Sequence, residues 1–186
     1  MVFLERWARA LLLIHAISAA VLVAATTHHI VWLRGYFSRN FGRYKGERRF
    51  ALIAACAYLV TFLIGNLLYP TYKVRVRAEF FDNPAAIAEE LKLRQAQEKV
   101  TTPAPVANAL PSLSPIARLF DIKEHWVALG CVASLLLLLL SRLAHPREEA
   151  HTLVLYLGLA LFACSTAWWG AIVGLITASF RSVGRL

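Results

Sequence analysis

The chain has 186 residues, 59% of them hydrophobic, and 20 Lys and Arg against 11 Asp and Glu leave a formal net charge of +9. Its apolar residues come in long runs with a positive mean hydropathy, which excludes a water-soluble globular fold. It has no phosphate-cradling Gly loop and no nucleophile with a nearby base, which excludes hydrolases, kinases and nucleotide enzymes.

Four runs reach the roughly 20 residues that a spanning helix needs. They lie at about residues 8–33, 50–69, 125–143 and 152–180. The sequence therefore predicts an all-α integral membrane four-helix bundle, with residues 1–186 as a single membrane domain. Residues 70–124 form a long extramembrane link between helices two and three. The first run follows Arg6 and Arg9 as a signal peptide does, but it continues through His28 and Trp32 and reads as a retained helix.

Helix one carries three of the six histidines. His15 and His29 are fourteen positions apart, nearly four whole turns, so both rings leave one face roughly 21 Å apart along the axis. Ser18, Leu22 and Thr26 fill the same stripe, and histidine inside a span is a functional hypothesis by default.

The link that follows packs Arg34, Arg39, Arg43, Lys45, Arg48 and Arg49 against the single acid Glu47. This positive-inside pattern assigns the link to the cytoplasmic face of a bacterial inner membrane, with both termini and the long link on the outer side. Trp32, Tyr36, Phe37, Phe41 and Tyr44 alternate with these cations, as in a headgroup layer, so the positive charge does not point to a nucleic-acid partner.

Helix two offers Tyr58, Thr61 and Asn66 as its polar points and is expected to end at Pro70. Lys73, Arg75 and Arg77 follow on alternate residues. Asp82-Asn83-Pro84 then opens a charged surface helix over Ala85–Lys99, and Pro103, Pro105, Pro111 and Pro115 make a stiff tether. The run Phe120-Asp121-Ile122-Lys123-Glu124-His125-Trp126 opens helix three with dense chemistry for so apolar a chain. The plainer reading makes Asp121 a helix cap, Lys123 and Glu124 solvated, and His125 interfacial. Helix three continues through Leu135–Leu140, His145 closes it, and His151 begins helix four.

Helix four carries Gly170 and Gly174 at the spacing that lets helices pack closely, with Trp168 and Trp169 beside them as belt residues. Cys56, Cys131 and Cys164 fall one in each of helices two to four and read as small buried side chains. None belongs to a Cys-x-x-Cys-His motif, so c-type haem attachment is excluded.

All six histidines lie in the spans or at their ends. Two neutral imidazoles from facing helices are the usual axial ligands of b-type haem, and bundle cores are where such cofactors sit. His15 with His125 would hold a haem in the outer half, and His29 with His145 a second in the inner half. Lys73, Arg75, Arg77 and Lys123 outside, and Arg34 inside, would meet the propionates. His125 and His145 are twenty residues apart, roughly 30 Å of helix against roughly 21 Å for His15 and His29. One haem b is therefore favoured over two. Metal transport through His28 and His29 ranks third, because adjacent residues point about 100° apart and no carboxylate or thiolate joins them at suitable spacing.

Helix one, Leu12-Leu13-Ile14-His15-Ala16-Ile17-Ser18, and the start of helix three, Ile122-Lys123-Glu124-His125-Trp126, resemble small four-helix bacterial membrane proteins of the HemJ and CopD-like kind. Some of those proteins bind b-type haem, and the resemblance implies a haem-contact role for His15 and Lys123. The basic link and the proline-rich segment depart from that pattern, and the HemJ oxidase activity is not carried over.

These observations lead to a b-type cytochrome-like membrane subunit, an electron-transfer or accessory component rather than a stand-alone enzyme. It would carry electrons between membrane quinone and an outer-side redox partner through bis-histidine haem. The competing expectation is a cofactor-free structural or assembly subunit of a larger membrane complex, with the long link as its docking element.

Overall fold

The computed structural model describes residue 2 and residues 4–98, 113–144 and 150–180. All of its regular structure among these residues is helical. A short 3-10 turn, Glu5–Trp7, leads into α1 (Ala8–Phe37); then come α2 (Tyr44–Thr71) with a π-helical continuation (Tyr72–Phe81), α3 (Pro84–Glu98), α4 (Leu113–Leu143) and α5 (Ala150–Phe180). The expected helices three and four are thus α4 and α5.

Four segments, Glu5–Phe37, Tyr44–Phe81, Ala117–Leu143 and His151–Ser179, are long and apolar enough to cross a membrane, the feature of an integral membrane protein. Their outward faces carry Leu13, Ile17 and Val21 on α1, Leu59 and Leu63 on α2, Leu129 and Leu136 on α4, and Leu161 and Leu175 on α5. Helices apolar on the outside as well as the inside suit lipid rather than water.

The helices pack α1 on α2 and α5, and α4 on α5 and α2. Ala51, Ala54 and Ala55 of α2, and Ala160, Ala163 and Ala167 of α5, are buried. Small residues recurring every three or four positions let backbones approach closely, which matters where lipid supplies no hydrophobic drive between helices. The same close approach occurs at Gly130 of α4, where a Cβ would meet the Tyr58 ring at 2.8 Å. Three buried layers result. Leu68, Tyr72, Val76, Phe80 and Ala117 form one; Leu22, Tyr58, Cys131, Ala163 and Ala167 the next; Leu33, Tyr36, Leu137, Tyr156 and Ala160 the third.

Several boundaries differ from expectation, each for a local reason. Pro70 lies inside the second helix rather than ending it. Removing its N–H disturbs the ladder, but Tyr72, Val76 and Phe80 recur every fourth residue and bury beside Ala8 and Ala117, so the helix continues in a wider form. The segment closes with the Asp82 N–H donating to the Arg77 carbonyl, five residues back, at 2.8 Å. The second helix begins at Tyr44, which places Lys45, Arg48 and Arg49 on its first turns and shortens the link to residues 38–43. The fourth begins at Leu113, with Pro115 in its first turn where a missing N–H costs little. Asp121 to His125 therefore sit inside α4 rather than at its mouth.

Asn83 caps α3 as its sequence suggests, its Oδ1 accepting from the Ala85 and Ala86 N–H groups at 3.1 and 3.3 Å. Pro103, Pro105 and Pro111 lie outside the described residues.

Candidate functional site

His15 leaves α1 toward α2, where Gly65 makes room for it. A Cβ on Gly65 would lie 3.2 Å from His15 Cε1. The ring keeps a buried nitrogen, Nδ1, without a hydrogen-bond partner. Lys123 arrives from α4. Its ammonium lies within electrostatic reach of His15, 4.6 Å from the centre of the Phe120 ring, and 3.4 Å from where a Cβ on Gly174 of α5 would stand. Among the described residues no carboxylate forms an ion pair with Lys123. Two glycines on α2 and α5 thus accommodate an imidazole from α1 and an ammonium from α4. The Gly-x-x-x-Gly pair of α5 serves α4 directly, with Gly170 against Val127 and Gly174 against Lys123.

The α4 residue within electrostatic reach of His15 is Lys123, not His125. The two α4 residues are two positions apart, about 200° around a helix. With Lys123 turned inward, His125 is exposed, and its Nδ1 lies 2.8 Å from the Asp121 carbonyl of its own helix. Arg75 and Arg77, expected at haem propionates, are engaged by carboxylates. Arg75 pairs with Glu5 and Glu79, each at 2.7 Å. Arg77 pairs with Asp82 at 3.3 Å and with Asp121, so Asp121 serves as a tie between the π-helical segment and α4 rather than as a cap. Lys73 lies 5.9 Å from the centre of the Tyr69 ring, and Arg34 is exposed. Asn66 bonds back to the Phe62 carbonyl at 2.9 Å rather than to a neighbouring helix. His145 lies outside the described residues.

His29 belongs to a second polar cluster, in the layer of Leu33 and Leu137. Its Nε2 lies 2.6 Å from Glu47 Oε1, with both side chains buried. The Tyr156 hydroxyl of α5 donates to the same carboxylate oxygen, and the Tyr36 hydroxyl lies 3.4 Å from the other. Glu47 is 0% exposed, and these three groups are the hydrogen-bond partners that its burial requires. His29 is held by a carboxylate here, and the expected second haem pair loses its free imidazole. His28, one residue earlier, is exposed and accepts the Trp32 indole N–H at 2.9 Å. Among the described residues no group of three His, Cys, Asp or Glu is placed to hold a metal ion. Between the two clusters, Tyr58 and Thr166 share a buried hydrogen bond of 2.7 Å that joins α2 to α5.

Glu47, Tyr36 and Tyr156 are functional candidates that the sequence did not single out. A signal was present: Glu47, Ala51, Ala54, Tyr58, Thr61 and Leu68 are all buried at helical spacing. That stripe extends the inward face of α2 into the basic run and carries Glu47 with it.

Comparison of the chain with family models, with curated proteins and with solved structures finds no match.

Proposed function

We propose that the chain is a membrane-inserted four-helix bundle that binds one b-type haem at His15 and Lys123 and passes electrons between a bilayer quinone and an outer-side partner. The observation that carries this reading is that the Lys123 ammonium lies within electrostatic reach of His15. An imidazole with a buried nitrogen that has no hydrogen-bond partner and an ammonium with no ion-pair partner among the described residues come from separate helices within electrostatic reach of each other in apolar segments. Ionisable groups there are expensive and mark functional sites by default. A haem answers both, with iron for the imidazole and propionates for the ammonium.

The fit is selective. His15 retains a free nitrogen; His29 is occupied by Glu47, and His125 faces away, which favours one haem over two. When bound, the haem supplies one-electron chemistry. The chain supplies a ligand at His15, a counter-charge at Lys123 and the apolar shell of α1, α2, α4 and α5. The six cations between residues 34 and 49 support placing that end at the cytoplasmic face of a bacterial inner membrane, with both termini outside.

A second reading, a cofactor-free structural subunit of a larger complex, draws on the buried clasp of His29, Glu47, Tyr36 and Tyr156, which commits a histidine to packing. Under it α3, docked on the π-helical segment, faces a neighbouring subunit.

Oxidised and dithionite-reduced spectra of protein purified from haem-replete cells separate the two. A sharp reduced α-band with about one haem per chain is expected; a featureless spectrum from folded protein leaves the structural reading.

A further inference from the structure

We infer that the seam between the start of α2 and the end of α4 binds an anionic phospholipid, its phosphate held by Arg48 and its acyl chains laid along the apolar face of α2. The inference rests on the membrane-spanning reading and is independent of haem.

The first observation is an unanswered charge. Arg34, Arg39, Arg43, Lys45, Arg48 and Arg49 cluster at this end, and the one acid among them, Glu47, is fully buried and turned to His29. No carboxylate is left at the surface of this stretch to neutralise them. Among the described residues, none of the five ion pairs involves a cation of this stretch.

The second is an orphaned donor. Arg48 Nε is buried without a hydrogen-bond partner, a costly state for a guanidinium N–H. Its guanidinium carbon lies 5.5 Å from the centre of the Tyr44 ring, and the Tyr44 hydroxyl donates to the Ser141 carbonyl at 2.9 Å. Arg48 is thereby held at the seam where α2 begins and α4 ends, close to the level of exposed Arg142. The side chain as a whole is only half-buried, and a planar guanidinium matches a phosphate oxygen better than a point charge does. Basic pockets between spanning helices at the headgroup level are where such lipids are held.

The third is continuity with an apolar path. Leu52, Leu59 and Leu63 lie within about 60° of Arg48 around α2, and all three are exposed. An anion at Arg48 thus has hydrocarbon surface directly below it. That combination fits a phosphodiester carrying acyl chains rather than a free anion.

The test is thermal unfolding of the detergent-purified chain titrated with dioleoylphosphatidylglycerol, dioleoylphosphatidylcholine or inorganic phosphate. Phosphatidylglycerol is expected to raise Tm, and the other two are not. R39Q is expected to weaken the phosphatidylglycerol affinity about fivefold or less, the worth of one basic residue at a membrane surface, and R48Q by clearly more than that; an equal loss in the two variants counts against a site at Arg48. Should R48Q not fold, R48K decides, since it keeps the charge and loses the planar donor; weaker binding supports the site. Equal stabilisation by phosphatidylcholine or by inorganic phosphate, or undiminished affinity in R48Q or R48K, overturns it.

Discussion

His29 Nε2 lies 2.6 Å from Glu47 Oε1, closing α1 onto α2 at the end where the cationic link passes between them. Tyr156 brings α5 to the same carboxylate. Removing one partner of a buried pair leaves the others uncompensated, at a cost of about 3–5 kcal/mol. Glu47→Ala is expected to lower stability by that amount, and Glu47→Gln by less, because its amide oxygen still accepts from tyrosine. Thermal unfolding in one detergent checks both; an unchanged Tm in Glu47→Ala would contradict the assignment.

Tyr58 and Thr166 join α2 to α5 through a single buried hydrogen bond of 2.7 Å. A double-mutant cycle with Tyr58→Phe and Thr166→Val is expected to give a coupling of about 0.5–1.5 kcal/mol, the range for interhelical bonds in membranes and in water. Additive effects of the two substitutions would show that the bond contributes nothing.

The close contact at Gly130 makes a contrast with Gly158. A methyl at Gly130 would run into the buried Tyr58 ring, whereas one at Gly158 would meet nothing within 4 Å. Gly130→Ala should destabilise by about 1–3 kcal/mol through overpacking. Gly158→Ala should be neutral or stabilising by up to about 1 kcal/mol through helix propensity. Unfolding of the two variants side by side tests the packing of α4 on α2.

Arg77 and Asp121 tie the π-helical segment to α4, but their side chains are 32% and 38% exposed. Water and salt screen such a pair, so Arg77→Gln should cost about 1 kcal/mol or less, and the loss should shrink further as ionic strength rises. A loss as large as that of Glu47→Ala would mean that this tie is the stronger of the two.

The four apolar helices were legible because about 20 uninterrupted apolar residues have few other uses. The cap of α3 was legible from Asn83 and Pro84 alone. What escaped was set by direction around a helix rather than by position along it. Lys123 and His125 look like one cluster in sequence, yet two residues' separation puts them on opposite sides of α4, and packing at Gly174 selects the lysine. Glu47 stood out in sequence only as the single acid of a basic run. Its partner His29 is 18 residues away, across a turn of the chain. Pro70 misled for a related reason: the burial of Tyr72, Val76 and Phe80 outweighs one lost backbone bond, and no local rule registers that sum.

The most direct measurement is haem content per folded chain in His15→Ala beside His125→Ala and the parent, each purified from haem-replete cells. About one haem is expected in the parent, the same in His125→Ala, and none in His15→Ala. Haem retained by folded His15→Ala, or lost with His125→Ala instead, would contradict the placement of the site on His15 and Lys123.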